Sequence, residues 1–501
     1  MRRGETAALN ATPRRVTVAS METLRIAFVL LLAAGLVALA AGLVACFGEP
    51  DFRVERPDDP PEAILISDVA VLDVGRGVRV PRRDVLIRDG RIAAIGLAGQ
   101  LAAPEGARQI AGVGSTLVPG LIDLHGHVDT RSNPIWEMGL PEPDRNLRSY
   151  LYAGVTTVLD PGDSGDAFER RDHVRQGDLL GPRVLAAGPI HTAPEGHPVA
   201  MVRELAPWWI AWYLAPRVAV TLASEAEARA AADAVAARGA DFVKVVVDRI
   251  PLEAPRLERN IVAALVEQAR THGLRTVAHI GTTQDAIDAA EAGVAAWVHG
   301  VNMERIPDAK IAQLASYGIP MVATLEVYDA YTRLGDGPRE ATRLERETVA
   351  PEILDGFHPV PEDFELGVFR LWLDRLREAR DARFDNVARL RAAGVTILAG
   401  SDTQAGVFPG PGLHRELEQL VRAGMTPVEA IQAATLQAAR FLAAGAEPEV
   451  GDVAVGMRAD LLLVEGDPTR DLSVLSAIRE VFLDGVPLER ESRPALAAGP
   501  G

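Results

Sequence analysis

Residues 64–96, "ILISDVAVLDVGRGVRVPRRDVLIRDGRIAAIG", alternate apolar with polar positions in short runs broken by Gly, Asp and Pro. Period-two alternation between turn formers predicts antiparallel strands and hairpins. A matching pattern returns at residues 455–489, "VGMRADLLLVEGDPTRDLSVLSAIREVFLDGVPLE". Two strand-rich ends can build one small β-sandwich if the middle of the chain brings them together. In that middle, short apolar runs alternate with amphipathic helical stretches. After an opening strand at 118–129 come "TTVLD" (156–160), "RVLAAGPI" (183–190), "DFVKVVV" (241–247), "RTVAHI" (275–280), "AWVHG" (296–300), "PMVATL" (320–325) and "TILAGSD" (396–402). The stretches "SEAEARAAADAVAARG", "NIVAALVEQARTHG" and "RFDNVARLRAAG" space their apolar residues as helices do and end on glycine. Eight strand-then-helix units predict an α/β fold, a (β/α)8 TIM barrel, carrying the small sandwich formed by the two ends.

A barrel keeps its chemistry at the C-terminal ends of its strands, so the last residues of those runs carry the functional signal. The opening strand, "VPGLIDLHGHVD", places His125 and His127 two residues apart, and in a strand such a pair shares one face. Towards the ends of other runs stand Lys244, His279, His299 and Asp402. Imidazole and carboxylate are ordinary zinc ligands, and the barrel would gather all six side chains at one rim.

This constellation resembles the amidohydrolase superfamily, in particular its binuclear imidazolonepropionase-like and prolidase-like members. The segments that carry the resemblance are "GLIDLHGHVD", "GADFVKVVVD", "TVAHI", "WVHG", "LAGSD", "HRELEQLVRAGMTPVEAIQAAT" and "GMRADLLLVEGDP", and together they cover about residues 62–490. The resemblance implies two divalent metal ions, expected to be zinc. His125 and His127 would hold one with Asp402, and His279 and His299 the other. Lys244 would bridge them as a CO2-derived carbamate, although a buried lysine paired with Asp248 is the alternative. Two such ions would activate a bridging hydroxide and polarise a carbonyl. Asp402 would act as the catalytic acid–base, moving the proton from the attacking water to the leaving nitrogen. The expected reaction is hydrolysis of an amide-type C–N bond in a dipeptide or N-acyl amino acid. His197, in a glycine-histidine loop after the third strand, is the expected substrate contact, and His414 reads as structural. After His279 the chain reads "IGTTQD", where many relatives place a His or Tyr that reaches the substrate.

Charge and the N-terminus change the picture in two ways. Lys+Arg 52 against Asp+Glu 69 leaves a net charge of −17, which excludes the basic footprint that nucleic-acid binding needs. Residues 26–45, "IAFVLLLAAGLVALAAGLVA", are uncharged and follow Arg14, Arg15 and Arg25, the order of an export signal or a membrane anchor. The only cysteine closes "LVAC" at 43–46, which resembles a bacterial lipobox with Cys46 as the lipidated residue. The expected layout is a signal peptide or anchor at 1–46 and a linker at 47–61. Sandwich segments follow at 62–118 and 447–490 around a barrel at 119–446, with a tail at 491–501. The enzyme would then be a membrane-anchored lipoprotein of the cell envelope that faces the periplasm or exterior. "PWWIAWYLAP" (207–216) reads as core packing, with a lipid-facing patch or an apolar substrate wall as alternatives, and the long connection 326–382 reads as a lid.

Two other functions fit parts of this pattern. A mononuclear deaminase or cyclic-amidine hydrolase needs His125, His127, His279 and Asp402 but not Lys244. A ligand-binding lipoprotein without catalysis has no use for the complete ligand set. The N-terminal reading makes its own prediction: the mature chain begins at Cys46 and carries acyl groups. Intact mass of the membrane-extracted protein checks this, and a chain retaining residues 26–45 without lipid would show an ordinary transmembrane anchor instead.

Overall fold

The computed structural model describes residues 52–493 apart from 138, 163–165, 207, 335, 338 and 363. The signal or anchor segment, Cys46 and the end of the tail lie outside the described residues. Among the described residues no helix is long and apolar enough to cross a membrane.

The middle of the chain forms parallel strands separated by helices. One sheet orders Leu121–Asp123, Val155–Asp160 and Arg183–Ala186. A second begins with Ala219–Thr221 and Ile190–Thr192 and continues through Phe242–Val246, Arg275–His279, Ala296–Val298, Met321–Val322 and Ile397–Leu398. Backbone bonds run between the two sheets on both sides: Asp241 N–H donates to Ala186 O at 2.9 Å, and Leu124 N–H donates to Ala399 O at 3.2 Å. The expected run at 183–190 is two strands with Gly188 at φ +72° between them, and Ala219–Thr221 is an addition with a weak sequence signal.

The helices form where capping and periodicity agree. Ser224 caps Glu225–Ala237 by accepting from Glu227 N–H, and Ala228, Ala232 and Val235 make its buried stripe. Thr282 and Asp285 form a capping box at Thr283–Glu291. The connection expected as a lid is largely helical, with Leu325–Thr332, Arg343–Thr348, Pro351–Asp355 and Phe369–Glu378. Every residue of its first helix is buried.

Strands from both ends of the chain join one eight-stranded sheet, in which Ser115–Pro119 runs antiparallel to Leu461–Glu465. Alternation divides its side chains between two cores. Leu461, Leu463 and Phe482 pack with Ile64, Ile66 and Leu117, whereas Leu462, Val464, Val481 and Leu483 face the main core. Two sequence expectations need correction. Within the expected linker, Arg53–Glu55 is a strand paired with Glu489–Glu491, because Phe52 and Val54 are apolar enough to be buried beside it. The aromatic run at 207–216 is not core. Trp208, Trp209 and Trp212 are 86%, 56% and 69% exposed, because the helix Trp208–Leu214 turns Ala211 inward and leaves the large rings on its outer face.

The last strand passes the first at close range. A Cβ on Gly400 would meet Val322 Cγ1 at 2.6 Å, His125 Cβ at 2.8 Å and His125 N at 2.9 Å. Gly400→Ala is therefore expected to overpack this contact and destabilise the fold by about 1–3 kcal/mol. Urea denaturation checks it: the midpoint should fall clearly below that of the wild type.

Candidate metal centre

The six predicted side chains converge where the parallel strands end. Lys244 and His279 lie on neighbouring strands whose register pairs Lys244 with Val277 and Val246 with His279. His125 and His127 leave the end of Leu121–Asp123, His299 follows Ala296–Val298, and Asp402 follows Ile397–Leu398. Three residues on this rim have a left-handed backbone: His299 at φ +145°, Thr324 at +47° and Asp402 at +52°. Non-glycine residues adopt such angles at a cost, and the clustering here is typical of functional sites. It also explains why these strands stop short of the expected runs.

His125, His127 and Asp402 each offer a ligand atom within 4.8 Å of the others, which makes a possible metal site. Asp402 Oδ1 lies 3.2 Å from His127 Nε2 and 3.6 Å from His125 Nε2, and its Oδ2 lies 3.7 Å from His299 Nδ1. The His299 ring centroid is 4.6 Å from that of His125 and 4.0 Å from that of His279. His127 Nδ1 meets Gly162 O at 3.0 Å, an arrangement that turns Nε2 towards Asp402.

Burial sets the protonation of this cluster. It holds His279 down to about 3 and His125 and His299 well below the ordinary histidine value, with Lys244 and neighbouring imidazoles adding to the effect. Burial also opposes charge on His127, but the hydrogen bond and charge of Asp402 outweigh it and raise that imidazole. Lys244, 1% exposed, is pushed down to about 7 by burial, with Asp402 and Asp160 opposing. The lowered imidazoles of His125, His279 and His299 beside a carboxylate suit a divalent cation, since metal binding requires deprotonated ligands. His125 Nδ1 is buried without a hydrogen-bond partner, a further unspent donor atom at the centre.

Asp248, weighed as a partner for Lys244, instead lies 3.2 Å from His279 Nε2 and accepts from Arg249 N–H. His197 packs on His279 with ring centroids 5.1 Å apart, and its buried Nδ1 has no hydrogen-bond partner. It therefore stands beside the cluster without belonging to the compact trio. His414 bonds to Ala153 O at 2.7 Å, the structural part expected of it. The sequence reading missed Thr324, whose hydroxyl meets His299 Nδ1 at 2.7 Å, and Tyr328, whose ring packs on His299 at 5.5 Å. Thr324 lies near the end of the run "PMVATL" and Tyr328 at the start of the long connection that follows, where only that strand end hinted that a site residue was near.

Known proteins share this architecture. A Xaa-Pro dipeptidase structure with bound methionine superposes with TM-score 0.66 at 22% identity, covering 85% of this chain and 99% of that one. The ochratoxinase of Aspergillus niger superposes with TM-score 0.65 at 21% identity, covering 86% and 96%. Its sequence is 40% identical over 90 residues, 18% of this chain and 18% of its own length. Imidazolonepropionase of Aeromonas hydrophila is 33% identical over 103 residues, 20% of this chain and 25% of its own length. The curated sequence matches are local, each spanning between 16% and 25% of the relative's own length. The family model described as "Amidohydrolase family" matches residues 116–488. Because that match takes in both parallel sheets and all six converging side chains, the chain belongs to the amidohydrolase family.

Proposed function

We propose that this protein is a metal-dependent hydrolase of an amide-type C–N bond in a dipeptide or N-acyl amino acid. In this reading the two parallel sheets are the wall of one (β/α)8 barrel, a view supported by the bonds from Asp241 to Ala186 and from Leu124 to Ala399. The observation that carries the functional reading is the gathering of four imidazoles, one carboxylate and a buried lysine at the C-terminal strand ends. The likeness to a Xaa-Pro dipeptidase supports an amide substrate. The uncharged run at 26–45 and Cys46 support anchorage at the cell envelope.

His125, His127 and Asp402 would hold one divalent ion, with zinc the first candidate, and His279 and His299 a second. Lys244 would join them as a carbamate, for which an amine pulled down to about 7 is suited, because only the unprotonated nitrogen adds to CO2. When bound, such ions lower the pKa of a shared water and polarise the carbonyl. Asp402 then takes a proton from the attacking water and passes it to the leaving nitrogen, releasing a carboxylic acid and an amine. His197, facing the cluster from the His279 side, would contact the substrate. A one-metal centre is the second reading, favoured by the compactness of the trio His125, His127 and Asp402. Metal content per folded chain separates the two.

Lys244→Ala is expected to stay folded while losing most of its activity and metal, with partial rescue by a small added carboxylate. Elemental analysis and a hydrolysis screen over dipeptides and N-acyl amino acids check this. Wild-type metal content and rate in that variant would remove Lys244 from the centre. Asp402→Asn is expected to keep the fold and much of the metal while kcat falls by about 10²–10⁴-fold. Steady-state kinetics decide the point: a fall of less than about tenfold would assign the proton transfer to another group.

A further inference from the structure

The tyrosines around the centre differ in what their hydroxyls do. Tyr150 meets Thr403 Oγ1 at 3.2 Å, and Tyr331 meets Gln404 Oε1 at 3.3 Å. Each is committed to holding the segment that follows Asp402. Tyr328 is only 3% exposed, yet its hydroxyl makes no hydrogen bond to another described residue. Its hydroxyl is thus free of the commitments that hold the other two.

The position of Tyr328 indicates that use. Its helix, Leu325–Thr332, begins at Thr324, whose left-handed backbone turns the chain immediately after the strand Met321–Val322. Thr324 bonds to His299, and one turn later the Tyr328 ring stands edge-on to the same imidazole at an interplanar angle of 81°. Asp248 and Asp402 both act on its hydroxyl electrostatically. The ring therefore stands close to the candidate metal ligands, and its hydroxyl is exposed to the field of carboxylates on two different strand ends. A phenolic hydroxyl in that place can donate a hydrogen bond to an oxygen that gains charge.

We propose that Tyr328 is a catalytic hydrogen-bond donor, its hydroxyl reaching the scissile carbonyl oxygen of a bound amide as that oxygen gains charge. The assignment rests on the hydrolase reading above. No proton leaves Tyr328: the hydroxyl donates to the tetrahedral adduct and remains protonated throughout, while Asp402 carries the proton to the leaving nitrogen. A donor placed for the charged oxygen acts mainly in the transition state, so removing it should lower kcat more than it raises KM.

The test is Tyr328→Phe, which keeps the ring on His299 and deletes only the hydroxyl. It uses the metal-loaded full chain, the best substrate from the dipeptide and N-acyl amino acid screen, and calorimetric binding of N-methylphosphonate-L-proline as a tetrahedral probe. The expected result is a loss of about 10²–10³-fold in kcat with KM nearly unchanged. Phosphonate affinity should weaken while metal content and thermal midpoint stay at wild-type values. Hydrolysis and phosphonate binding within threefold of wild type would overturn the role of Tyr328 and leave the hydrolase reading standing. A wild-type chain that neither hydrolyses any member of the screen nor binds the phosphonate would overturn both. If Tyr328→Phe loses metal or fold, Tyr328→Leu separates the ring from the hydroxyl: equal loss of metal in both variants with unchanged turnover per bound metal would overturn the donor role.

Discussion

The whole centre depends on a carboxylate that stands behind it. Asp123 is fully buried and accepts hydrogen bonds from His125 N–H, Ser401 N–H and the Ser401 hydroxyl. It thereby ties the end of the first parallel strand to the end of the last, 278 positions along the chain. Two further contacts complete the seam. Asp402 N–H donates to His125 O at 2.6 Å, and Thr403 Oγ1 lies 2.9 Å from both His127 N and His127 O. A buried carboxylate without such donors would cost several kcal/mol, and burial does push Asp123 above the ordinary carboxylate range. The donors offset that cost only when the two strand ends are in register. The same atoms that stabilise Asp123 therefore bring His125 and His127 against Asp402, and Gly400 keeps the gap narrow enough for them to meet.

Electrostatics then explains what the seam is for. His125, His279 and His299 sit so far from water that burial disfavours a proton on each, and Lys244 and neighbouring imidazoles add to the effect. Their lone pairs are consequently available near neutral pH. Of the four imidazoles only His127, nearest to Asp402, is held towards the protonated form, by the hydrogen bond and charge of that carboxylate. Packing so many unprotonated donors around one carboxylate contributes little to stability by itself. It is an arrangement whose cost makes sense if a divalent ion completes it.

Much of this was legible in the sequence because the relevant signals are local. Apolar runs with period-two or helical spacing mark the strands and helices, and the residues towards the ends of those runs include His125, His127, Lys244, His279, His299 and Asp402. The signals that failed were those that depend on packing between distant segments. Phe52 and Val54 lie in a proline-rich, acidic stretch that reads as a tether, and only pairing with Glu489–Glu491 makes it a strand. The run "PWWIAWYLAP" reads as core by composition, but four aromatics at positions 208, 209, 212 and 213 fall on one face of a short helix, and Ile210, Ala211 and Leu214 already fill the inner face. Asp123 and Asp248 end apolar runs like many surface aspartates, and nothing nearby in sequence shows that each faces a histidine or its backbone.

The long connection after Met321–Val322 shows how an insertion can belong to a site without carrying a recognisable motif. Its first helix buries Glu326 and Asp329, which would be prohibitive for an isolated helix. Arg333 and Arg339 reach Glu326, while Arg333 and Arg380 reach Asp329. Gln419, from the helix Pro411–Arg422, donates to Glu326 at 2.7 Å. Replacing such a network with apolar side chains often leaves stability unchanged or improves it, so its value lies in fixing one arrangement among many. Here the arrangement it fixes includes the orientation of Tyr328, which sits between Glu326 and Asp329 in sequence and faces His299 in space. A flexible loop could carry the same tyrosine, but it would have to be ordered each time a substrate bound. The buried ion pairs meet that ordering cost during folding, so the hydroxyl is already in place before any substrate arrives.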